Sequence, residues 1–260
     1  MVAASITPAR RRAMGTFYVW MAALFVLIAF SGFAGTYWLQ LPAGTFVGAP
    51  LLHLHGILFS AWTLFFLSQT WLAASGQMQH HRAWGVAGVS LATAMVFVGF
   101  ATAIASMQKD VAAGYAQQAR AFAIVPISAA VLFAILVTWA VVTVKRPETH
   151  KRLMMLATMS ILQAPIGRFF FLAIVGGGPG VRPGSAPAAP VATTIGAGLV
   201  VAVLILAVII YDWRKRGRPH PVYLIGGAAV VIVELIRVPL AESPQWQSIA
   251  QALGTFGAYT

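Results

Sequence analysis

Long apolar runs alternate with short polar connections along almost the whole chain. Each run has about 20 residues, the length that an α-helix needs to cross the hydrocarbon core of a bilayer. The pattern therefore predicts an all-α fold: one polytopic integral membrane bundle of about seven transmembrane helices over residues 1–260. The predicted spans are 17–39, 51–74, 84–106, 121–144, 153–175, 193–211 and 221–240.

The C-terminal tail carries a different pattern from the spans. Ser243 followed by Pro244 is a good start for a helix, and apolar and polar residues then alternate at helical spacing. We therefore expect residues 241–260 to form an amphipathic helix on the outer membrane surface.

Composition supports a membrane protein. Hydrophobic residues make up 60% of the chain and charged residues 8%, whereas soluble domains carry about 25% charged residues. The lipid bilayer is therefore the expected partner for most of the surface. The chain has no cysteine, which excludes disulfides, thiolate metal sites and thiol catalysis.

The net charge of +12 comes from short basic clusters between the apolar runs. Because these clusters do not form one patch, nucleic acid is excluded as a partner. Twelve Lys and Arg residues lie in one set of connections and three in the other, which predicts a cytoplasmic N-terminus and an outside C-terminus. We expect the inner membrane of a bacterial cell. The twelve Lys and Arg residues on the predicted cytoplasmic side lie at positions 10–12, 82, 145–146, 151–152, 214–216 and 218.

A polar and aromatic stripe runs along the second predicted span. His55, Trp62 and Gln69 are seven residues apart, and Phe59 and Phe66 lie on the same side. A polar stripe inside a span must face protein or a cavity rather than lipid. Two interpretations stay open: a buried seam bonded to neighbouring helices, or the wall of a pocket for a cofactor such as haem b or a quinone.

The same span contains a candidate metal pair, His53 and His55. Residues two apart on a helix point about 200° away from each other. Copper bound through both imidazoles would therefore need a non-helical turn at this point.

Charged residues occur inside two later spans, at a depth similar to that of His55. Arg168 lies in the fifth span, and Glu234 and Arg237 lie on one face of the seventh. Glu234 is the only carboxylate that the pattern places inside a span. The local charge of +1 favours an anionic guest: a carboxylate, a phosphate or the propionates of a haem. The alternative is a structural brace of these three residues between the two spans.

The remaining histidines, His80, His81, His150 and His220, lie beside basic residues at the cytoplasmic ends of the spans. Contact with solvent or lipid headgroups is the simplest interpretation. A second hypothesis is that His81 and His150 meet as the axial ligands of a haem, with basic neighbours pairing with its propionates.

Several protein classes lack their required residues. The chain has no Gly-rich phosphate loop, H-E-x-x-H or G-x-S-x-G motif. No lysine lies in the middle of a span, where a retinal Schiff base would need one. A pathway for cations would need more carboxylates than Glu234 alone.

The pattern H-x-H-G-x5-W-x6-Q, from His53 to Gln69, is followed by H-R-x-x-G from His81 to Gly85. In these motifs the chain resembles a group of uncharacterised bacterial multi-pass membrane proteins. It is also loosely similar to small haem-binding membrane proteins, including assembly factors of haem–copper oxidases. The resemblance implies membrane redox chemistry or haem handling.

Three functions follow as hypotheses, and whether the chain is an enzyme stays open. The leading one is a redox or haem-associated protein that transfers electrons or delivers a cofactor. In it His55, Trp62 and Gln69 line a pocket, and Arg168 and Arg237 hold an anionic group. The second is a transporter or receptor for a small organic anion at the same pocket. The third is an accessory subunit whose polar seam packs against a membrane-protein partner or another copy of the chain.

Overall fold

A computed structural model of the protein describes residues 8–183 and 187–256, with side chains from residue 16 onward. The chain is all-α and has seven helical segments that are long and apolar enough to cross a membrane. The predicted fold class is therefore confirmed, and the protein is a multi-pass membrane protein. Which side of the membrane each terminus faces stays a prediction.

Nine α-helices, a π-helical turn and a 3₁₀ turn form the described part of the chain. The α-helices are α1 Pro8–Phe33, α2 Pro50–Ala74, α3 Met78–Ala112, α4 Ala116–Val142, α5 Pro147–Ile161, α6 Gln163–Val175, α7 Ile195–Arg216, α8 Pro221–Ala241 and α9 Pro244–Leu253. The π-helical turn Ala34–Trp38 continues α1, and the 3₁₀ turn Val191–Thr194 leads into α7.

Short connections make the chain reverse direction after each span. We call the end formed by connections 75–77, 143–146 and 217–220 the basic end. We call the end formed by connections 39–49 and 113–115 and by α9 the opposite end. The basic end carries most of the Lys and Arg residues that sequence analysis places in the cytoplasm.

The helices extend beyond the predicted spans at the basic end. Helix α3 begins at Met78 and α5 at Pro147, several residues before the apolar runs at 84 and 153. Pro147 explains the second boundary, since proline fits the first turn of a helix, where its missing N–H is not needed. The polar residues 78–83 and 147–152 therefore belong to helices.

The fifth span is divided between α5 and α6, which meet at Leu162. Pro165 lacks the N–H that would bond to the carbonyl of Ile161, so the hydrogen bonding of the helix is interrupted at this point. The two halves of the span can therefore present different sides to their neighbours.

Helix α5 lies at the centre of the core. Its buried side chains include Leu153, Leu156 and Met159, and they pack with aromatic rings of α1, α2 and α4 such as Phe25, Trp62 and Phe133. The outer faces of the bundle carry exposed apolar side chains. Trp20, Phe97 and Ile174 are examples, as expected for a surface solvated by lipid.

The tail helix α9 begins as predicted, with Oγ of Ser243 accepting a hydrogen bond from the backbone N–H of Trp246 at 3.2 Å. Nε1 of Trp246 donates to the carbonyl of Arg120 at 2.7 Å. Ala250 is buried in a cluster with Met107 of α3. Helix α9 is therefore packed against α3 and α4, and its contact with the membrane surface stays a prediction.

Small residues let the helices approach closely, as is common in membrane bundles. A Cβ atom at Gly32 of α1 would collide with the backbone carbonyl of Pro165 on α6. The crossing of α1 and α6 therefore requires glycine at this position.

We expect Gly32→Ala to lower the free energy of unfolding by about 1–3 kcal/mol, because the added methyl group must push α1 away from α6. Gly85→Ala in α3 is the matched control, since a Cβ there would meet nothing within 4 Å. It should leave stability unchanged or raise it by up to about 1 kcal/mol. Thermal unfolding in one detergent measures both. Equal shifts for the two variants would contradict the close crossing.

Candidate functional site

Trp62 lies inside the bundle. It is 1% exposed, and its Nε1 donates to Oγ1 of Thr158 on α5 at 3.3 Å. Its ring meets Phe133 of α4 edge to face, with centroids 5.1 Å apart. The indole therefore has protein partners for both its ring and its N–H, which favours the buried seam at this position of the stripe.

Gln69 is the polar residue of the stripe at the basic end, and it too is buried. Neither its side-chain nitrogen nor its side-chain oxygen has a hydrogen-bond partner among the described residues. A buried amide without partners costs free energy. Its backbone carbonyl accepts a hydrogen bond from Nδ1 of His81 at 3.3 Å, so this amide lies beside one of the predicted haem ligands.

The structure brings His81 of α3 and His150 of α5 together. Their ring centroids are 6.4 Å apart and the ring planes lie at 82° to each other. Nδ1 of His150 donates to the carbonyl of Ala140 at 2.8 Å. Both imidazoles are half-buried.

These two hydrogen bonds determine which ring nitrogens remain available. A backbone carbonyl only accepts, so Nδ1 of His81 and of His150 each carries the proton when the ring is neutral. The unprotonated Nε2 atoms have no hydrogen-bond partner in the described part of the chain. A histidine that binds a metal through one nitrogen usually donates its other N–H in this way.

The other two histidines of the basic end have different surroundings. His80 is exposed. His220 caps α8, because its Nδ1 accepts a hydrogen bond from the backbone N–H of Val222 at 3.2 Å.

A buried ion pair that the sequence pattern does not predict also lies at the basic end. Arg152 of α5 is 0% exposed and forms a salt bridge with Asp212 of α7, which is 2% exposed. It also binds Oε2 of Glu148 at 2.7 Å. The second carboxylate oxygen of Asp212 accepts the backbone N–H of His220 at 2.7 Å. Asp212 lies within the segment Val191–Arg216, which is long and apolar enough to cross a membrane, so the expectation that Glu234 is the only carboxylate within a span is wrong.

Two tyrosines connect this ion pair to α1. The guanidinium of Arg152 lies over the ring of Tyr223, 5.5 Å from its centroid. The hydroxyl of Tyr223 donates to that of Tyr18 at 3.2 Å. Helices α1, α5, α7 and α8 are thus joined by one buried polar network.

At the opposite end, His55 and Arg168 are neighbours. The ring of His55 stacks on Phe59, with centroids 4.1 Å apart, and its Nδ1 is buried without a hydrogen-bond partner. The positive charge of Arg168 is close enough to interact electrostatically with this imidazole. The guanidinium of Arg168 lies 5.4 Å from the ring centroid of Phe33 on α1.

His53 faces a different set of residues. Its Nδ1 is 3.0 Å from the hydroxyl of Tyr37, and its ring meets that of Phe46 with centroids 5.0 Å apart. His53 and His55 therefore diverge, as their spacing predicts. No group of three or more His, Asp or Glu residues in the described chain could hold a metal ion, and copper binding through this pair stays a prediction.

Glu234 and Arg237 form a separate polar cluster with α6 and α7. Nη2 of Arg237 donates to Oγ1 of Thr194 at 3.1 Å. Nε2 of Gln163 donates to the backbone carbonyl of Thr194, also at 3.1 Å. A Cβ at Gly198 would collide with the carboxylate of Glu234. Glycine thus makes room for this buried acid.

The structure therefore separates into two pairs the four residues that the sequence places at a similar depth. His55 and Arg168 lie beside α1, whereas Glu234 and Arg237 lie beside α7. No salt bridge links Arg168 to Glu234 among the described residues, so the structure does not contain the brace considered from the sequence. A groove of about 920 Å³ between α3 and α9 is lined by none of these residues.

Comparison with protein-family models, with curated proteins and with solved structures gives no match for this chain. The resemblance noted from the histidine motifs stays a prediction.

We expect Asp212→Asn to lower the free energy of unfolding by about 3–5 kcal/mol, because it leaves Arg152 buried without its main counter-charge. Glu242→Gln is the matched control. Glu242 is exposed and its carboxylate accepts a hydrogen bond from Gln117 at 3.2 Å, so its replacement should change stability by less than about 1 kcal/mol. Thermal unfolding in detergent tests both, and a small effect of Asp212→Asn would show that the pair is not structural.

We expect His220 to make the protein less stable in mild acid. Burial lowers the pKa of its imidazole, and the charges of Arg152 and Arg216 lower it further. The unfolded chain therefore takes up a proton near pH about 6.5, before the folded protein does. Stability should fall as the pH drops below this value, and level off once the folded form is protonated too.

His220→Asn tests this contribution, since asparagine also accepts a hydrogen bond as a helix cap but does not titrate. The unfolding temperature, measured on both sides of pH about 6.5, should fall less in the variant than in the native chain. The same fall in both would assign the acid sensitivity to other groups.

Proposed function

We propose that the chain binds haem b at the basic end, with His81 and His150 as the two axial ligands, and that it acts in electron transfer or in cofactor handling. The observation that carries this proposal is the pairing of two imidazoles from separate helices, each with its Nδ1 bound to a backbone carbonyl.

The separation of the rings suits a metal between them. Two imidazoles that would hold the same iron must be close neighbours from separate helices. The observed distance between the centroids of His81 and His150 is 6.4 Å. Among the described residues, no third His, Asp or Glu joins these two imidazoles in a group that could hold a metal ion.

The surroundings also suit a haem. Haem carries two propionates, and exposed cations flank both histidines: Arg82 follows His81, and Arg146 lies one helical turn before His150. The buried amide of Gln69, whose backbone carbonyl binds His81, has an unused donor that could meet an acceptor of the bound group. Bound haem would supply one-electron chemistry, while these residues hold and orient it.

The excess of basic residues at this end supports a position on the cytoplasmic side of a bacterial inner membrane. His55 has no role as an iron ligand at this site, because it lies at the opposite end of α2. Trp62 contributes packing between the two ends.

We expect the purified protein to show a Soret band, with sharp α and β bands after reduction by dithionite. Both His81→Ala and His150→Ala should lose most of the bound chromophore, since either change removes an axial ligand. His80→Ala is the matched control, because His80 is adjacent but exposed, and it should keep the spectrum. Haem content per protein is measured by the pyridine haemochrome absorbance.

His55→Ala identifies the end of the bundle that binds the chromophore. Loss of the spectrum in this variant, with retention in His81→Ala, would move the site to the opposite end. A colourless native protein from cells supplied with a haem precursor would contradict haem binding altogether.

A further inference from the structure

We infer that the opposite end contains a second, independent site that binds a phosphate group through Arg168 and Arg182, assisted by His55 and Thr36. This site does not depend on the proposed haem.

The direction of Arg168 follows from the packing of α6 on α1. Pro165, Arg168 and Leu172 are spaced three and four residues apart, so they share one face of α6. Pro165 contacts Gly32 of α1, and Leu172 contacts Gly35 of the π-helical turn. Arg168 therefore lies between these contacts, with its guanidinium over the ring of Phe33.

A second cation approaches the same place. Arg182 is close enough to Arg168 for the two positive charges to repel each other. The guanidinium of Arg182 lies 5.8 Å from the ring centroid of Phe46. Gln40 holds this part of the chain near the π-helical turn, because its Nε2 donates to the carbonyls of Gly35 at 2.9 Å and of Val181 at 2.7 Å. Two like charges thus lie close together within or near the membrane.

No acidic side chain of the described protein neutralises Arg168. The chain has five acidic residues, and each interacts elsewhere. Their interactions are Asp110 with Lys109, Glu148 with Lys151, Arg152 and Arg216, Asp212 with Arg152, Glu234 with Arg237, and Glu242 with Gln117. A charged side chain inside a membrane costs at least about 2.5–3.5 kcal/mol. A negative charge from outside the chain would compensate for this cost.

Two buried polar side chains at this end of the bundle are available for a ligand. Thr36 is 3% exposed, and its hydroxyl has no hydrogen-bond partner in the described chain. It directly follows Gly35, which meets Leu172 of α6, and it lies three residues after Phe33, whose ring lies under the guanidinium of Arg168. The Nδ1 atom of His55, also without a partner, is the second such group. Both can donate a hydrogen bond to an anionic oxygen.

The charge and the donors favour a phosphate group over a single carboxylate. One guanidinium in a bidentate pair already neutralises a carboxylate, whereas two guanidinium groups can bind different oxygens of one phosphate. Arg168 lies about 10 Å below the end of its helix, and Arg182 lies beyond that end. A phosphate could come from a lipid headgroup at the membrane surface or from a soluble phosphate, since both present the same oxygens.

The test compares Arg168→Gln with Arg120→Gln, a matched control that removes another arginine at the opposite end. The proteins are purified in a maltoside detergent, which contains no phosphate. Binding of ³²P-labelled inorganic phosphate is measured at equilibrium, and retention of phosphatidylglycerol, against diacylglycerol, is measured by native mass spectrometry. We expect Arg168→Gln to weaken binding of one of these probes by about tenfold or more, and Arg120→Gln to leave it unchanged.

The two probes distinguish the source of the phosphate. Saturable phosphate binding that requires Arg168 indicates a soluble ligand, whereas retention of phosphatidylglycerol alone indicates a lipid headgroup. Equal binding of both probes by the native protein and Arg168→Gln, or binding of neither, overturns the inference. Thr36→Val, which removes only the hydroxyl, should weaken the same probe by a smaller factor and guards against a folding defect in Arg168→Gln.

Discussion

The buried ion pair between Arg152 and Asp212 constrains the whole basic end of the bundle. A guanidinium with no exposed surface needs its counter-charge, so α5 cannot rotate away from α7. His150 precedes Arg152 by two residues and points about 200° away around the helix. The rotation that directs Arg152 towards Asp212 therefore directs His150 towards the carbonyl of Ala140 on α4 and the ring of His81 on α3.

The break at Leu162 removes this constraint from the second half of the same span. Helix α6 takes its rotation from the contact between Gly32 and Pro165, and not from the ion pair on α5. Gln163 then faces the start of α7, while Arg168 faces α1. One transmembrane segment can thus contribute to two unrelated polar sites, because proline separates the rotations of its two halves.

The sequence predicted the features that depend on position along the chain, and missed those that depend on rotation about a helix. Apolar length located all seven spans, and similar placement at helix starts suggested His81 and His150 as partners. Counting residues put Arg168 and Glu234 at similar depths, but depth does not specify the neighbouring helix. Asp212 was missed because it follows the apolar run and adjoins a basic cluster, where a charged residue normally meets solvent.

The distance between the two ends bears on which residues could serve one cofactor. Gln69, beside His81, and His55, beside Arg168, are fourteen residues apart on α2, which is about 21 Å along a helix. The buried ring of Trp62 lies between them. The propionates of a haem held by His81 and His150 would extend only a few bonds from the macrocycle, so Arg168 cannot be their partner. The cations beside the two histidines remain for that role in the proposed haem site.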